Sequence, residues 1–476
     1  MRLIAGFSAF LATASVVIVL AAGPAVDNKA QGKGQGSGSD DPLIVHEWGT
    51  FTSFSGSDGV RLEFRPLADE DLPPFVLDRF LQAGLPSFGK RMITTRLRME
   101  TPVTYFYTER ERDVHVRVDF PQGLLTEFYP PVVSMTPHFK RGEDLLIRNS
   151  SLDWGKVHLI PQDFFQVNIG DKDRARLIEE RLLGGMIPPA AGENHYFHAR
   201  ETDSAVVQVH LDPDPKLPRR PAGDFFEKFL FYRGIGNFEL PLKLTASGGG
   251  KYELLNSGPD DIRSLFLVTA DGKELRFSKF DQIASGQQRT LTQSGKAATM
   301  EELSEAVVQS LIDENLYEKE ARAMVKTWRS SWFGETGTRL FYMVPTALTE
   351  KLLPLKVEPK PTETVRVLVG RMEIMPPETE QQVLDLVRAS YAERVQQIKK
   401  AQAAKKAAGP VKWSKELASL GRLTEPALAR VRAIAPEREI RIHAAELIKM
   451  LQSMPPIVRN GLVNPEAKQL ASSAKN

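Results

Sequence analysis

The sequence contains no cysteine, and its charge is nearly balanced. Without cysteine the chain forms no disulfide, offers no thiolate ligand or cysteine nucleophile, and cannot carry a lipid on a cysteine near its start. The 62 basic residues against 60 acidic ones give no overall charge for binding nucleic acid. At roughly 100–200 residues per domain, the 476 residues suggest two to four domains, with cores that need no cross-links.

Several catalytic motifs are also missing. The chain has no G-x-S-x-G, and residues 248–251 lack the spacing and the hydroxyl residue of a phosphate-binding loop. Residues 234–236 lack the third glycine and the following helix of a dinucleotide site. We therefore expect no nucleotide cofactor and no nucleic-acid partner.

Residues 1–25 are typical of a signal peptide or an N-terminal membrane anchor. Arg2 precedes an uncharged, mostly apolar run over 3–22, and small residues follow it. The run exceeds the about 7–15 apolar residues of a signal peptide and matches the about 20 of a spanning helix, so both interpretations remain open. Either one predicts a periplasmic or secreted body, tethered by residues 3–22 if the leader is retained. Residues 26–41, rich in Gly and Ser, are predicted to be a flexible linker.

The rest of the chain predicts a β-rich α+β fold. Val114, Val116, Val118 and Phe120 alternate with polar residues, which indicates a strand with one buried face, paired in a hairpin with residues 103–107. The predicted regions are an N-terminal antiparallel β domain (42–236), a sandwich-like β region with an inserted helix pair (237–376), a long amphipathic helix (377–409), a helical segment (410–454) and a disordered tail (455–476).

Three segments resemble an uncharacterised family of exported bacterial proteins: Val-His-Glu-Trp-Gly-Thr-Phe-Thr-Ser at 45–53, Lys-Phe-Leu-Phe-Tyr-Arg-Gly at 228–234, and residues 317–333 with Trp328 and Trp332. The resemblance implies export and a shared fold, and it transfers no catalytic residue. Separately, residues 421–429 and the helix that starts at Pro436 resemble a single HEAT-like unit. In that family such units are interaction surfaces, which implies a protein partner for this segment; a helical cap on the β body is the alternative.

Residues 193–203 contain the best candidates for a metal site. Imidazole and carboxylate groups are what zinc and similar ions bind when cysteine is absent, so His195, His198 and Glu201 are the candidate ligands of a divalent metal. On a strand, His198 would face away from the other two. An exposed polar strand is therefore the simpler interpretation.

His46 and Glu47 are the second candidate, since a histidine beside a carboxylate can act as a general base. Neighbouring residues of a strand point to opposite faces, so the two cannot act on one atom without a bulge. The polar face of His115, Arg117 and Asp119 is best explained as a solvated surface.

Trp328, Trp332 and Phe333, with Tyr317, could form a sugar-binding platform, but at helical spacing such aromatics are more often core. The leading functional hypothesis is a non-catalytic binding or structural protein of the cell envelope. The alternative is a metal-dependent envelope hydrolase built on the 193–203 cluster, with His46 and Glu47 brought in by folding.

Overall fold

The computed structural model describes residues 41–66, 71–82, 93–139, 147–162, 187–190, 194–215, 220–293, 295–411 and 413–453. The predicted leader, the linker before residue 41 and the tail lie outside the described residues, as does Glu193. Residues 41–476 group into one compact unit. Among the described helices, none is both long enough and apolar enough to cross a membrane.

The strands are β1 (Ile44–Ser55), β2 (Leu77–Asp78), β3 (Leu97–Tyr107), β4 (Arg112–Phe120), β5 (Gly123–Tyr129), β6 (Ser134–Thr136), β7 (Ser150–Ile160), β8 (Val206–Leu211), β9 (Gly223–Glu227), β10 (Leu230–Gly236), β11 (Leu242–Gly248), β12 (Lys251–Asn256), β13 (Ile262–Ala270), β14 (Leu275–Ile283), β15 (Gln288–Thr292), β16 (Gly337–Val344), β17 (Leu355–Glu358) and β18 (Glu363–Ile374). The α-helices are α1 (Arg79–Gln82), α2 (Met300–Asp313), α3 (Glu318–Arg329), α4 (Thr346–Leu352), α5 (Pro377–Ala403), α6 (Lys415–Ala418), α7 (Thr424–Ile434) and α8 (Arg438–Ser453).

A nine-stranded sheet forms the centre of the fold, in the order β14-β13-β16-β18-β1-β3-β10-β5-β2. Its pairs are antiparallel except β1 with β18, which run parallel. The sheet takes strands from both sides of the predicted boundary between residues 236 and 237. That boundary is therefore wrong: β13 and β14 join the central sheet, and β11, β12 and β15 form a separate three-stranded sheet beside it.

The central sheet is covered on both faces. Trp48, Phe266 and Phe341 pack on one face against α2 and α3. Val45, Leu267 and other apolar side chains of the opposite face pack against the three-stranded sheet and a six-stranded sheet of β17, β4, β7, β8 and β9, with β6 beside β7. Burial on both faces explains why β1 has no exposed residue and no polar alternation.

The predicted hairpin of residues 103–120 does not form. β3 pairs with β1 and β10 in the central sheet, whereas β4 pairs with β7 and β17 in the six-stranded sheet. The reason is in the burial pattern: β3 is buried on both faces, while β4 alternates between buried and solvent-facing residues. Two strands that need such different surroundings belong to different layers.

The C-terminal helices pack together at one end of the body. One apolar cluster joins them to the end of β1 and the segment that follows it, and it contains Phe54, Leu62, Phe64, Leu384, Val387, Leu428, Val431 and Leu447. The β-rich α+β class and the helical C-terminal segment are thus confirmed.

Candidate functional site

The side chains of His46 and Glu47, which are neighbours in β1, point to opposite faces of the central sheet, as strand geometry predicts. His46 faces α3, on the same side as Trp48, and Glu47 faces the opposite side of the sheet. Both side chains are buried, with 1% and 0% exposure. Any activity in which the two act on one atom is therefore excluded by the geometry.

His46 forms a buried pair with Glu320. Its Nδ1 lies 2.7 Å from Oε2 of Glu320, and the same carboxylate accepts hydrogen bonds from the Tyr107 hydroxyl (2.7 Å) and the Tyr317 backbone N–H (2.9 Å). Glu320 is the third residue of α3, so it also caps the start of that helix. Burial, and then the Glu320 charge, raise the pKa of Tyr107, which keeps its hydroxyl protonated as a donor.

The rings around His46 close it off from solvent. Tyr317 lies 4.4 Å and Tyr107 5.5 Å from the imidazole, measured between ring centroids. A carboxylate that orients an imidazole is the arrangement of a general base, but a base must also reach its substrate. With 1% exposure His46 has no such reach, and within the described residues its Nε2 contacts no hydrogen-bonding partner. In this arrangement the pair fastens α3 to β1.

Glu47 is held by a second buried network. Its Oε2 accepts a hydrogen bond from Arg366 Nε (2.8 Å) and lies 2.6 Å from Nη2 of the same residue. Its Oε1 accepts bonds from the Tyr232 hydroxyl (2.5 Å) and Thr104 (3.1 Å). Burial opposes the charge on Arg366, yet the Glu47 carboxylate holds the pKa of Arg366 above its ordinary value. The carboxylate has three partners and serves to neutralise a buried arginine.

The segment of the metal candidates is a 3-10 helix, His195–Arg200, where the sequence predicts a strand. Asn194 starts it by accepting a hydrogen bond from the Tyr196 N–H, and its inward residues Tyr196 and Ala199 are buried. The Tyr105 hydroxyl donates to the Ala199 carbonyl at 2.7 Å. Such capping by an asparagine favours a turn over a strand, and tertiary contacts hold it.

The three candidate ligands are engaged with α3 or with each other. His195 lies against Trp328, with 5.3 Å between ring centroids. His198 Nδ1 is 3.3 Å from Glu201, and both oxygens of Glu201 accept bonds from Lys326 at 2.6 and 2.8 Å. Within the described part of the chain, no three His, Asp or Glu side chains are placed to hold a metal ion.

His46 of β1 and His195 of the 3-10 helix contact the same helix, α3, at different positions along its length. His46 contacts residue 320 of α3, and His195 contacts residue 328. Eight residues of α-helix span about 12 Å, which is too far for the two histidines to serve one small site. Folding therefore brings both candidates to α3 without joining them.

The aromatic residues of α3 and the π-helical turn that follows it (Ser330–Gly334) belong to the core. Trp328, Trp332 and Phe333 are all buried; Trp332 stacks on Trp328 and lies at a tilt against Phe341. The interpretation of these residues as core is confirmed. Tyr317 is the exception, since it remains 42% exposed above His46.

A third group of histidines lies on the outer face of the six-stranded sheet. His115 contacts Asp153 (2.8 Å), and His210 contacts Asp224 (2.9 Å). His158 lies between Asp113 and Glu111, at 2.8 and 3.0 Å. The sequence predicts a solvated surface for His115, Arg117 and Asp119, and the side-chain exposure of His115 and Arg117, 54% and 38%, agrees with that prediction.

The decisive partners in the core could not be found from the sequence. Glu320 is 274 residues from His46, and Arg366 is 319 residues from Glu47. Neither belongs to a short motif with its partner, and only the parallel pairing of β1 with β18 places Arg366 beside Glu47. No local signal marks either residue.

Comparisons with known proteins add no relative in sequence. No protein-family model matches the chain, and no curated protein matches it. Among solved structures, the yeast delta-COP-I mu-homology domain, alone and complexed with the Dsl1 WxWxV peptide, is 7% identical with a TM-score of 0.24. The alignments cover 71% of this chain and 99–100% of those chains. A likeness at this TM-score carries no argument about function.

Proposed function

We propose that this chain is an exported protein of the cell envelope that binds a protein partner without catalysis, and that α7 and α8 form the contact surface. Ile434 ends α7 and Ile442 lies in the second turn of α8, and they are 39% and 49% exposed. They are two of six large exposed apolar residues in the described part of the chain. The two lie eight positions apart on consecutive helices, and clustered exposed apolar side chains are typical of interaction sites.

The inner side of the helix pair is fixed to the body, so its outer side is a rigid platform. Arg430 contacts Glu380 at 2.7 Å and Asp58 at 3.0 Å, and Arg65 contacts Glu425 at 2.6 Å. A preorganised surface loses little conformational entropy when a partner binds. The HEAT-like resemblance of this segment supports the same role.

The candidate catalytic groups support a binding role as well. His46 and Glu47 are bonded inside the fold, and Glu201 is bonded to Lys326 at the surface. Each group has a structural use that explains its presence. The leader predicted at residues 1–25 supports a periplasmic or secreted location.

Site-specific crosslinking tests the contact surface. A photoreactive residue is placed at Ile434 or Ile442 of the full chain in its native cells, and at the equally exposed Leu81 or Val133 as matched controls. We expect the same crosslinked product from both helix positions and from neither control. Equal products from all four positions, or none from the helix positions, would reject α7–α8 as the surface.

Export is tested separately. Protease added to spheroplasts should digest the body, whereas a body protected until the inner membrane is lysed would refute export. This outcome is independent of where a partner binds.

A further inference from the structure

From Arg394 to Lys415, the last part of α5 and the segment after it carry positive charge only. Between Glu393 and Glu416 the sequence has seven basic residues and no acidic one: Arg394, Lys399, Lys400, Lys405, Lys406, Lys412 and Lys415. Without these seven, 55 basic residues remain against 60 acidic ones. The near-neutral total thus hides a strongly basic segment, 394–415, on an acidic body.

The helix dipole explains only part of this run. Lysines favour the last turn of a helix, where the carbonyl groups carry partial negative charge, and this accounts for Lys400. α5 ends at Ala403, yet the basic residues continue beyond it. Lys405 and Lys406 therefore need another explanation.

These lysines also differ from others in the protein. Lys156, Lys319 and Lys326 each contact a carboxylate at 2.6–2.8 Å. Lys399, Lys400, Lys405 and Lys406 are all exposed, and within the described residues none of the four forms an ion pair. Four unpaired charges in eight residues create a positive surface that attracts an extended anion.

We propose that the basic segment 394–415 docks on an anionic phospholipid bilayer, in keeping with the proposed export, on which this inference rests. Clustered lysines near a membrane bind acidic headgroups by electrostatic attraction, and a flat surface needs only one exposed segment to meet it. A nucleic acid would be held by a broad basic face, whereas the body outside this segment is acidic. The segment would set the orientation of the body against the membrane.

A fluorescent label at Ala404 tests the proposal. The chain has no cysteine, so Ala404→Cys gives a single attachment point, and Ala404 is exposed in the middle of the lysine run. The labelled full chain is added to vesicles of phosphatidylcholine with or without phosphatidylglycerol, both containing a headgroup quencher. Because the label reports local contact, a leader that inserts into both kinds of vesicle does not by itself produce the signal.

Two matched variants locate the effect. One changes Lys399, Lys400, Lys405 and Lys406 to Gln, and the other changes the exposed Lys251, Lys273, Lys351 and Lys360 to Gln, which gives the same net charge. At about 1 kcal/mol per lysine, the loss of four lysines in the first variant should weaken contact with phosphatidylglycerol vesicles by on the order of 1000-fold. The second variant should stay close to the unsubstituted chain.

We expect quenching that requires phosphatidylglycerol and disappears at high salt. Equal quenching on both lipids, or equal losses in the two variants, would overturn the proposal. Competition provides a further test. If a DNA duplex releases the protein from the vesicles at a lower concentration of negative charge than added phosphatidylglycerol does, the proposal is overturned as well. A body digested in spheroplasts but unquenched on anionic vesicles would reject this inference and leave the proposed export intact.

Discussion

Histidine–carboxylate pairs occur in two environments of this protein. His46–Glu320 lies under α3 against the central sheet, with both side chains at most 1% exposed. His210–Asp224, on the outer sheet, has the same kind of contact at nearly the same distance, but both groups face solvent. In water the charges are screened and hydrated, so the pair contributes little; in the core every unpaired polar group costs free energy. Burial therefore decides what each pair does.

Disrupting the buried contact between Glu47 and Arg366 should give the largest loss of stability. Replacing Glu47 with Ala leaves Arg366 charged and buried without its partner, which costs about 3–5 kcal/mol of unfolding free energy. We expect a large fall of the urea midpoint, measured by circular dichroism. Replacing both Glu47 and Arg366 with Leu should recover much of the loss, and Asp224→Ala on the outer sheet should leave the midpoint unchanged. If Glu47→Ala does not fold, the milder Glu47→Gln gives the same comparison.

The second-largest loss of stability is expected at the buried contact between His46 and Glu320, which attaches α3 to β1. Glu320→Ala removes the acceptor of the His46 imidazole, the Tyr107 hydroxyl and the helix-capping N–H, at a cost of about 2–3 kcal/mol. The matched change Glu318→Ala lies in the same helical turn, but Glu318 is 65% exposed and should cost less than about 0.5 kcal/mol. Equal losses from the two variants would mean that His46–Glu320 is no stronger than a surface pair.

Substitution of the candidate metal ligands at the surface should have a smaller effect on stability. His198→Ala together with Glu201→Ala should change the unfolding free energy by no more than about 0.5 kcal/mol, because both side chains are substantially exposed. A chelator should leave the melting temperature of the unsubstituted protein unchanged. Near-stoichiometric bound metal that is lost in the double variant would revive the hydrolase hypothesis.

The smallest effect is a pair of opposite histidine titrations. The hydrogen bond to Asp224 raises the pKa of His210 above 6.5, whereas burial beside Ser390 lowers that of His443 below 6.5. The contribution of His210 to stability is thus present below pH 6.5 and lost as the pH rises through its folded pKa; that of His443 is lost as the pH falls below 6.5. NMR titration should resolve both midpoints, and Asp224→Asn should return His210 alone towards 6.5. Midpoints in the reverse order would contradict the assigned environments.

The local elements were the part of the fold most open to prediction. Thr299 and Glu302 have the spacing of a capping box, a local pattern that marks the start of α2, and both of its hydrogen bonds form. The alternation in β4 predicts its buried and exposed faces. The prediction of a hairpin over residues 103–120 is wrong, because the residue pattern of β3 alone does not show which strands become its neighbours.

The candidate site shows the same division between features that follow from the local sequence and features that depend on distant residues. The opposite orientation of His46 and Glu47 follows from the period of a strand, and the structure has it. The 3-10 helix at His195–Arg200 was missed because its inward residues Tyr196 and Ala199 are fixed by contacts with Glu227 and Tyr105, which are distant in the chain.

The sequence by itself determined the absence of cysteine chemistry, the periods of its strands and helices, and the basic run at 394–415, because these depend only on neighbouring residues. The tertiary structure alone decided that Glu320 and Arg366 complete the surroundings of His46 and Glu47. The physical reason is that the free energy of a charge depends on its distance from water and from other charges, and the fold sets both by bringing together residues hundreds of positions apart.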